Sequence, residues 1–309
     1  MSSARIFILT LLAMIAFASN SLLCRAALKE SSLDPATFTL VRIFSGAAGL
    51  WLVMSVRRMA KVNRTATTPV EDLSSPPTNT AYSPLGYGNW ISATALFVYA
   101  AGFSFAYTSL SAGTGALLLF GAVQATMILW GLYKDERLSL IQIIGFMAAI
   151  TGLCVLVFPG LSAPPLAGSM LMLGAGIAWG VYSLRGKGEK NPASVTTGNF
   201  IRAVLFAVVL SLAFASKAHV DLAGVAYGVI SGAVTSGLGY VIWYSALPGL
   251  TATSAATIQL SVPVLAATGG IVLLSEAITL RYVLASVVVL GGIALVISTP
   301  HSQAISSTR

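Results

Sequence analysis

The sequence predicts an all-α integral membrane protein with ten transmembrane helices, arranged as two inverted five-helix repeats. Three observations support this fold: an apolar composition, ten long apolar runs and short motifs that recur in the second half of the chain. Of the 309 residues, 56% are hydrophobic and only 8% are charged, and the mean hydropathy is +0.87. Soluble domains carry about 25% charged residues, so this composition excludes a soluble globular enzyme.

The ten apolar runs lie between charged or Pro- and Gly-rich breaks, and each is long enough for a transmembrane helix. Their length and continuity favour helices over the short alternating strands of membrane barrels. The predicted spans are 5–24, 35–56, 90–111, 114–133, 140–158, 166–185, 194–216, 222–246, 251–274 and 282–299. The first run also resembles a cleaved signal peptide, but a retained helix is favoured because the repeat described below needs it.

The distribution of Lys and Arg predicts the orientation in the membrane. With a cytoplasmic N-terminus, eleven of the 17 basic residues fall on the cytoplasmic side, four on the outer side and two within spans. Both termini, including the tail 300–309, are therefore expected in the cytoplasm, with the spans in a bacterial inner membrane. The segment 57–89 contains a stretch rich in Ser, Thr and Pro and is predicted to be a flexible cytoplasmic loop.

The two halves of the chain share a pattern. The motif Glu-Arg-Leu-Ser-Leu at 136–140 recurs 140 residues later, at 276–280, as Glu-Ala-Ile-Thr-Leu. Each half, 1–158 and 166–299, holds five predicted helices. Because five is odd, the second half enters the membrane from the opposite side. Inverted repeats with a site near the membrane midplane are typical of secondary transporters.

Several of these features together resemble the EamA-type transporters of the drug/metabolite transporter superfamily. They are the two five-helix halves, Arg42 and Arg202 in helices two and seven, and the Glu-x-[Leu/Ile]-[Ser/Thr]-Leu motif before helices five and ten. The resemblance covers nearly all of 1–299 except the long loop. It implies the drug/metabolite-transporter fold, with a central cavity surrounded by helices one to four and six to nine, and uptake or efflux of small metabolites, amino acids among them. One departure is Pro263 in helix nine, which has Val123 opposite it in helix four.

Polar and aromatic side chains within the spans are candidates for lining this cavity. Asn20, Gln124 and Gln259 offer uncharged amides, which suit a polar or zwitterionic ligand. For Asn20, hydrogen bonding to a packed helix fits equally well. The aromatic residues form stripes that either line the cavity or pack the bundle: Tyr99, Phe103 and Tyr107 in helix three, Trp179 and Tyr182 in helix six, and Tyr240, Trp243 and Tyr244 in helix eight.

The charged residues near the spans allow two interpretations. Arg42 and Arg202 either bind a substrate carboxylate or serve a structural role near helix ends. Their sidedness predicts that Arg42 pairs with Glu276, and Arg202 with Glu136, as gate or scaffold contacts. Pro263 is expected to kink helix nine and to act as a hinge or ligand contact.

These features predict a secondary transporter, with export favoured over uptake, that moves a small polar metabolite such as an amino acid by alternating access. One alternative is a membrane enzyme acting on lipid-linked substrates, which would need an acidic, His or metal cluster at a membrane face. The other is a non-transporting scaffold or sensor. No catalytic residue, metal or cofactor is expected, and the predicted partners are a small solute and the lipid bilayer. The basic residues lie scattered between apolar runs, so nucleic acid is not expected; the sequence leaves ion or proton coupling and a homodimer open.

Overall fold

The computed structural model describes residues 3–67, 86–134, 138–160, 163–186, 189, 191–246, 249–250 and 258–298, and within these ranges the chain is helical without strands. The helices are α1 (Ser3–Glu30), α2 (Pro35–Thr67), α3 (Trp90–Tyr107), α4 (Ala112–Tyr133), α5 (Leu140–Val157), α6 (Leu166–Gly186), α7 (Pro192–Ala213), α8, α9 (Ser261–Leu274) and α10 (Leu280–Ser298). α8 has three consecutive parts: an α-helix (Leu222–Val229), a π-helix (Ile230–Leu238) and an α-helix (Gly239–Ala246).

The helices of the described ranges have the length and composition of membrane spans. Nine of them are long and apolar enough to cross a bilayer, while α9 is a shorter apolar helix of 14 residues. At 1.5 Å per residue α9 is about 21 Å long, against about 30 Å of hydrocarbon. Large apolar side chains cover the outside of the bundle, as in α10, where Leu284 and Val287 are 56% and 67% exposed. The predicted all-α membrane fold is confirmed.

Two helices extend beyond their predicted spans. α1 continues to Glu30, because the polar side chains of its last turns find partners in neighbouring helices, as described below. α2 continues to Thr67, so the first part of the expected loop 57–89 is helical. Residues 68–85 of that loop, residues 251–257 of the ninth predicted span and the tail 300–309 lie outside the described residues.

The recurring motif marks the start of α5 and α10 because its hydroxyl residue caps each helix. Ser139 Oγ accepts a hydrogen bond from the backbone N–H of Gln142 at 3.3 Å, and Thr279 Oγ1 accepts one from Tyr282 at 3.1 Å. Such a hydroxyl satisfies one of the free N–H groups in the first turn. In α5 the Gln142 side chain completes a capping box. Both halves therefore begin their last helix in the same way.

The main helix-packing pairs correspond when α1–α5 are exchanged with α6–α10. The contact of α3 with α6 corresponds to that of α8 with α1, and the contact of α4 with α6 corresponds to that of α9 with α1. Three further contacts join equivalent helices of the two halves: α2 with α7, α4 with α9 and α5 with α10. Arg25 of α1 hydrogen-bonds the last residue of α3, whereas Arg185 of α6 hydrogen-bonds Ser92 near its beginning. α1 and α6 therefore run in opposite directions, as an inverted repeat requires. The repeat boundaries stay a prediction.

Glycines bring α5 and α10 into close contact at one side of the bundle. A Cβ atom at Gly145 would lie 2.6 Å from the carbonyl oxygen of Gly292, and one at Gly152 would lie 2.8 Å from Val289 Cγ2. In the other direction, a Cβ atom at Gly292 would collide with the carbonyl oxygen of Gly145. Small residues allow membrane helices to approach this closely, and the packing contacts then hold the pair together.

We expect Gly292→Leu to lower the thermal unfolding temperature of the detergent-solubilised protein, because overpacking costs about 1–3 kcal/mol. Gly291→Leu is the matched control, since a Cβ atom at Gly291 meets nothing within 4 Å. Equal unfolding temperatures for the two variants would contradict the close packing of α5 on α10.

Candidate functional site

α1, α2, α3 and α8 bring five polar side chains together inside the bundle. Tyr99, midway along α3, accepts two hydrogen bonds at its hydroxyl oxygen, from Arg42 Nη2 at 2.7 Å and from Asn20 Nδ2 at 3.3 Å. Asn20 Oδ1 in turn accepts hydrogen bonds from Ser231 at 2.6 Å and Thr235 at 3.3 Å. We call these five residues the polar centre. Each is at most 7% exposed.

Aromatic rings from α1, α3, α6, α7 and α8 form a continuous cluster around the polar centre. Neighbouring ring centroids lie between 4.7 and 6.2 Å apart. Trp179 links the two sides of this cluster, because it lies 4.8 Å from Tyr99 and stacks on Tyr240 at 5.1 Å. The aromatic cluster consists of Phe17, Tyr99, Phe103, Tyr107, Trp179, Tyr182, Phe200, Tyr240 and Trp243.

Arg42 sits where the polar centre meets the aromatic cluster. Its guanidinium carbon lies 5.1 Å from the centroid of the Tyr99 ring and 4.7 Å from that of Phe103, within the range of cation–π attraction. The residue is 2% exposed. Arg42 Nη1 is buried and has no hydrogen-bond partner among the described residues. The cation is therefore held by one hydroxyl and two rings, with hydrogen-bonding capacity left over.

The structure unites most of the sequence-predicted site residues but not all of them. Asn20, Arg42 and the predicted aromatic residues of α3, α6 and α8 lie in the polar centre or the aromatic cluster, apart from Tyr244, whose side chain is outside the described part of the chain. Gln124 is buried and Gln259 half-buried, and no hydrogen bond within the described ranges joins either amide to the polar centre. Sequence reasoning missed Ser231 and Thr235; their i, i+4 spacing places both hydroxyls on one helix face.

The predicted pairing of Arg42 with Glu276 is wrong. Glu276 Oε1 pairs instead with Arg25 Nε at 3.0 Å, and Glu276 Oε2 accepts a hydrogen bond from the Ala112 backbone N–H, at the start of α4, at 2.8 Å. Arg25 Nη1 also donates to the carbonyl oxygen of Tyr107, at the end of α3, at 2.8 Å. From the predicted topology, Arg25 and Arg42 both lie on the same side of the membrane as Glu276. In the structure Arg25 lies at the helix ends that meet near Glu276, while Arg42 points into the bundle.

Arg202 does not mirror Arg42. It is half-buried, and its Nη1 donates to the backbone carbonyls of Tyr87 at 2.6 Å and Gly198 at 3.0 Å. Its predicted partner Glu136 lies outside the described residues. The two arginines at equivalent repeat positions thus have different surroundings.

The polar centre lies between two sets of polar contacts at opposite ends of the bundle. At one end, which we call the Glu276 end, the Arg25–Glu276 pair is joined by Lys29, whose Nζ donates to the Leu274 carbonyl oxygen at 2.7 Å. A cavity of about 200 Å³ at this end is lined by residues of α4, α9 and α10 and their connections.

At the other end, which we call the Arg185 end, contacts gather around the start of α3. Arg185 Nε donates to Ser92 Oγ at 3.0 Å and its Nη2 to Asn89 Oδ1 at 3.2 Å, while Asn199 Oδ1 accepts a hydrogen bond from the Asn89 backbone at 2.9 Å. The cavity here measures only about 10 Å³. At both ends the contacts join α1–α5 to α6–α10, and neither cavity is lined by the polar centre.

Two helix irregularities lie near the site. The π-helix of α8 was not predicted; it carries Ser231 and Thr235, and it places Gly232 against the Arg42 carbonyl oxygen so closely that a Cβ atom would collide. π-turns are frequent at functional sites. In the ninth predicted span, Gln259 is helical, the helix is interrupted at Leu260, and α9 then begins with Pro263 in its first turn. Because proline has no N–H for a helical hydrogen bond, an interruption just before Pro263 fits the expected kink, and a hinge role stays a prediction.

We expect Tyr99→Phe to lower the thermal unfolding temperature, because it removes the oxygen that accepts hydrogen bonds from Arg42 and Asn20. A buried donor left unsatisfied costs about 1–3 kcal/mol. Tyr227→Phe is the matched control, since the Tyr227 hydroxyl has no hydrogen bond within the described residues. If both variants unfold at the same temperature as the wild type, Tyr99 does not organise the polar centre.

A membrane-spanning helical bundle with a buried charged centre and sets of polar contacts at both ends has the features of a membrane transport protein. Residues 166–298 match the EamA-like transporter family. An uncharacterized protein of Pseudomonas aeruginosa is 51% identical over 298 residues, which are 96% of each chain. The chain belongs to the EamA-like transporter family. The family places it among multi-pass membrane transporters rather than enzymes.

More distant similarities point in the same direction. The threonine/homoserine exporter RhtA of Escherichia coli strain K12 is 30% identical over 144 residues, which are 45% of this chain and 48% of the exporter. A protein crystal structure that is 15% identical superposes with a TM-score of 0.63, covering 96% of this chain and 98% of that one. At this identity the structural match shows the fold alone.

Proposed function

We propose that this protein is a secondary transporter of a small polar metabolite such as an amino acid, and that it works by alternating access between two inverted five-helix repeats. Export across a bacterial inner membrane is the proposed direction, supported by the similarity to a threonine/homoserine exporter. With both termini in the cytoplasm, the Glu276 end faces outward and the Arg185 end faces the cytoplasm.

The position of the polar centre between two separate sets of polar contacts carries this proposal. Arg25–Glu276 and Lys29–Leu274 join α1 to the end of α9 and the turn that follows it, while Arg185 and Asn199 join α6 and α7 to the start of α3. Each set links the two repeats at a different membrane surface. Breaking one set while keeping the other gives one-sided access, which is what alternating access requires.

Among the described residues, a few polar contacts join the two halves at each end. Charged hydrogen bonds of this kind contribute about 1.5–3 kcal/mol each, which corresponds to roughly tenfold or more in the populations of open and closed states. The aromatic cluster and the paired α5 and α10 also join the two halves, between these ends and at one side of the bundle.

The chain contains a reporter for opening of the Glu276 end. Cys24 is fully buried, directly precedes Arg25 in α1, and lies beside Ser104 and Arg42. In a Cys154→Ala background, we expect Glu276→Gln to speed the labelling of Cys24 by a membrane-impermeant maleimide added from outside about tenfold, through loss of the charged pair. Intact cells or oriented vesicles are suitable for the measurement.

The matched control is Glu30→Gln, which removes an equal charge from the same end at an exposed residue. We expect this variant to label at the wild-type rate. Unchanged labelling in Glu276→Gln, or equal acceleration in both variants, would show that the Arg25–Glu276 pair does not close this end.

The predicted cavity residues have a separate test. We expect Gln124→Ala and Gln259→Ala to reduce counterflow of an amino-acid panel headed by L-threonine in proteoliposomes, because each removes an amide that can bind a polar solute. Both variants should still insert into the membrane, as shown by their yield and unfolding temperature. Counterflow at the wild-type rate in both variants would show that these two amides do not line the transport path.

A further inference from the structure

Arg42 is a buried cation without a counter-charge among the residues that the structure describes. It is 2% exposed, and the one ion pair among the described residues, Arg25–Glu276, lies elsewhere. Charged side chains inside a membrane protein are costly, and they pair with an opposite charge or mark a functional site. The described part of the chain supplies Arg42 with no carboxylate, so a bound anion can balance its charge.

The guanidinium also has an unused hydrogen-bond donor. Nη2 donates to the Tyr99 hydroxyl at 2.7 Å, whereas Nη1 is buried without a partner among the described residues. A guanidinium presents its donors as a rigid planar fork that matches the two oxygens of a carboxylate. The free donor and the unbalanced charge therefore call for the same kind of ligand.

The surroundings hold this donor in place. Tyr99 is itself fixed by Asn20, which is fixed in turn by Ser231 and Thr235 of the π-helix. The rings of Tyr99 and Phe103 lie within 5.1 Å of the guanidinium carbon. Arg42 is thus oriented from α1, α3 and α8 at once, as a preorganised recognition group is.

The second half of the chain provides an internal comparison. Arg202, at the equivalent repeat position, satisfies its Nη1 with two backbone carbonyls near the surface. An arginine with a purely structural role at this position finds its partners within the chain. Arg42 leaves its Nη1 without a hydrogen-bond partner among the described residues, although it is the more buried of the two.

We propose that Arg42 is the substrate-binding residue that receives a carboxylate, and that the transported solutes are therefore small molecules with a free carboxylate group. This inference rests on the proposed transport function and names its substrate class. The carboxylate oxygens accept hydrogen bonds from the Arg42 guanidinium, and the adjacent aromatic cluster contacts the rest of the solute.

The test compares carboxylates with their nearly isosteric amides on the full-length protein in detergent. Acetate, L-lactate and L-alanine are each titrated beside acetamide, L-lactamide and L-alaninamide, with chloride as an anion lacking carboxylate geometry. Ligand binding to the folded state raises the unfolding temperature in a concentration-dependent way. We expect at least one carboxylate to bind the wild type about tenfold or more tightly than its amide and than chloride.

Two variants locate the effect. Arg42→Gln should abolish the preference for the carboxylate, and Arg42→Lys, which keeps the charge without the fork, should weaken it. Arg202→Gln is the matched control and should keep the wild-type preference. Because the carboxylate–amide comparison is made on the wild type, it needs no variant to fold.

Three results would overturn the proposal: no carboxylate raises the unfolding temperature of the wild type, amides or chloride bind as well as carboxylates, or Arg42→Gln keeps the preference. The outcome is independent of the Cys24 labelling test. If the protein prefers carboxylates but Glu276→Gln leaves Cys24 labelling unchanged, this inference stands and the proposed closure of the Glu276 end is rejected. If Cys24 labelling accelerates but the protein does not prefer carboxylates, only the carboxylate substrate class is rejected.

Discussion

The interior of a bilayer offers no water to hydrogen-bond polar groups, so the buried polar atoms in the described part of this bundle bond to other parts of the chain, with exceptions such as Arg42 Nη1. This constraint explains the polar centre. Asn20 uses its oxygen for Ser231 and Thr235 and its NH₂ group for Tyr99, while Arg42 shares the same Tyr99 hydroxyl. Four helices are thereby fixed relative to one another by bonds with which no solvent competes.

The same constraint makes the polar contacts at the two ends of the bundle differ from those of the polar centre. At the ends, arginine and lysine side chains reach backbone carbonyls and one carboxylate, as Arg25 and Lys29 do at the Glu276 end. These contacts lie close to water, which can replace them when they break. In the middle no such replacement exists, so a hydrogen bond of the polar centre is costlier to break than one at either end.

The two halves share their topology but not their chemistry. Ser139 and Thr279 begin equivalent helices with equivalent caps, and Arg25 and Arg185 each tie an equivalent helix to α3. Arg42, by contrast, is buried, whereas Arg202 is half-buried midway along α7. The two halves therefore pack in a similar way, while single positions such as Arg42 and Arg202 differ in their surroundings.

Local signals in the sequence determined the spans, the capping motif and the opposite directions of α1 and α6, because hydropathy, helix caps and the number of crossings act within short stretches of chain. They also placed aromatic residues on single helix faces, but they did not predict the contacts between faces. The sequence did not indicate that Phe17 and Phe200 belong to the aromatic cluster. The length of α1, the π-helix of α8 and the partner of Glu276 were decided only by tertiary structure. Arg25 and Arg42 both lie on the same side of the membrane as Glu276 in the topology predicted from the sequence. Which of them pairs with Glu276 depended on which helix ends meet in space, because an ion pair in a membrane protein forms where packing brings its two groups within hydrogen-bonding distance.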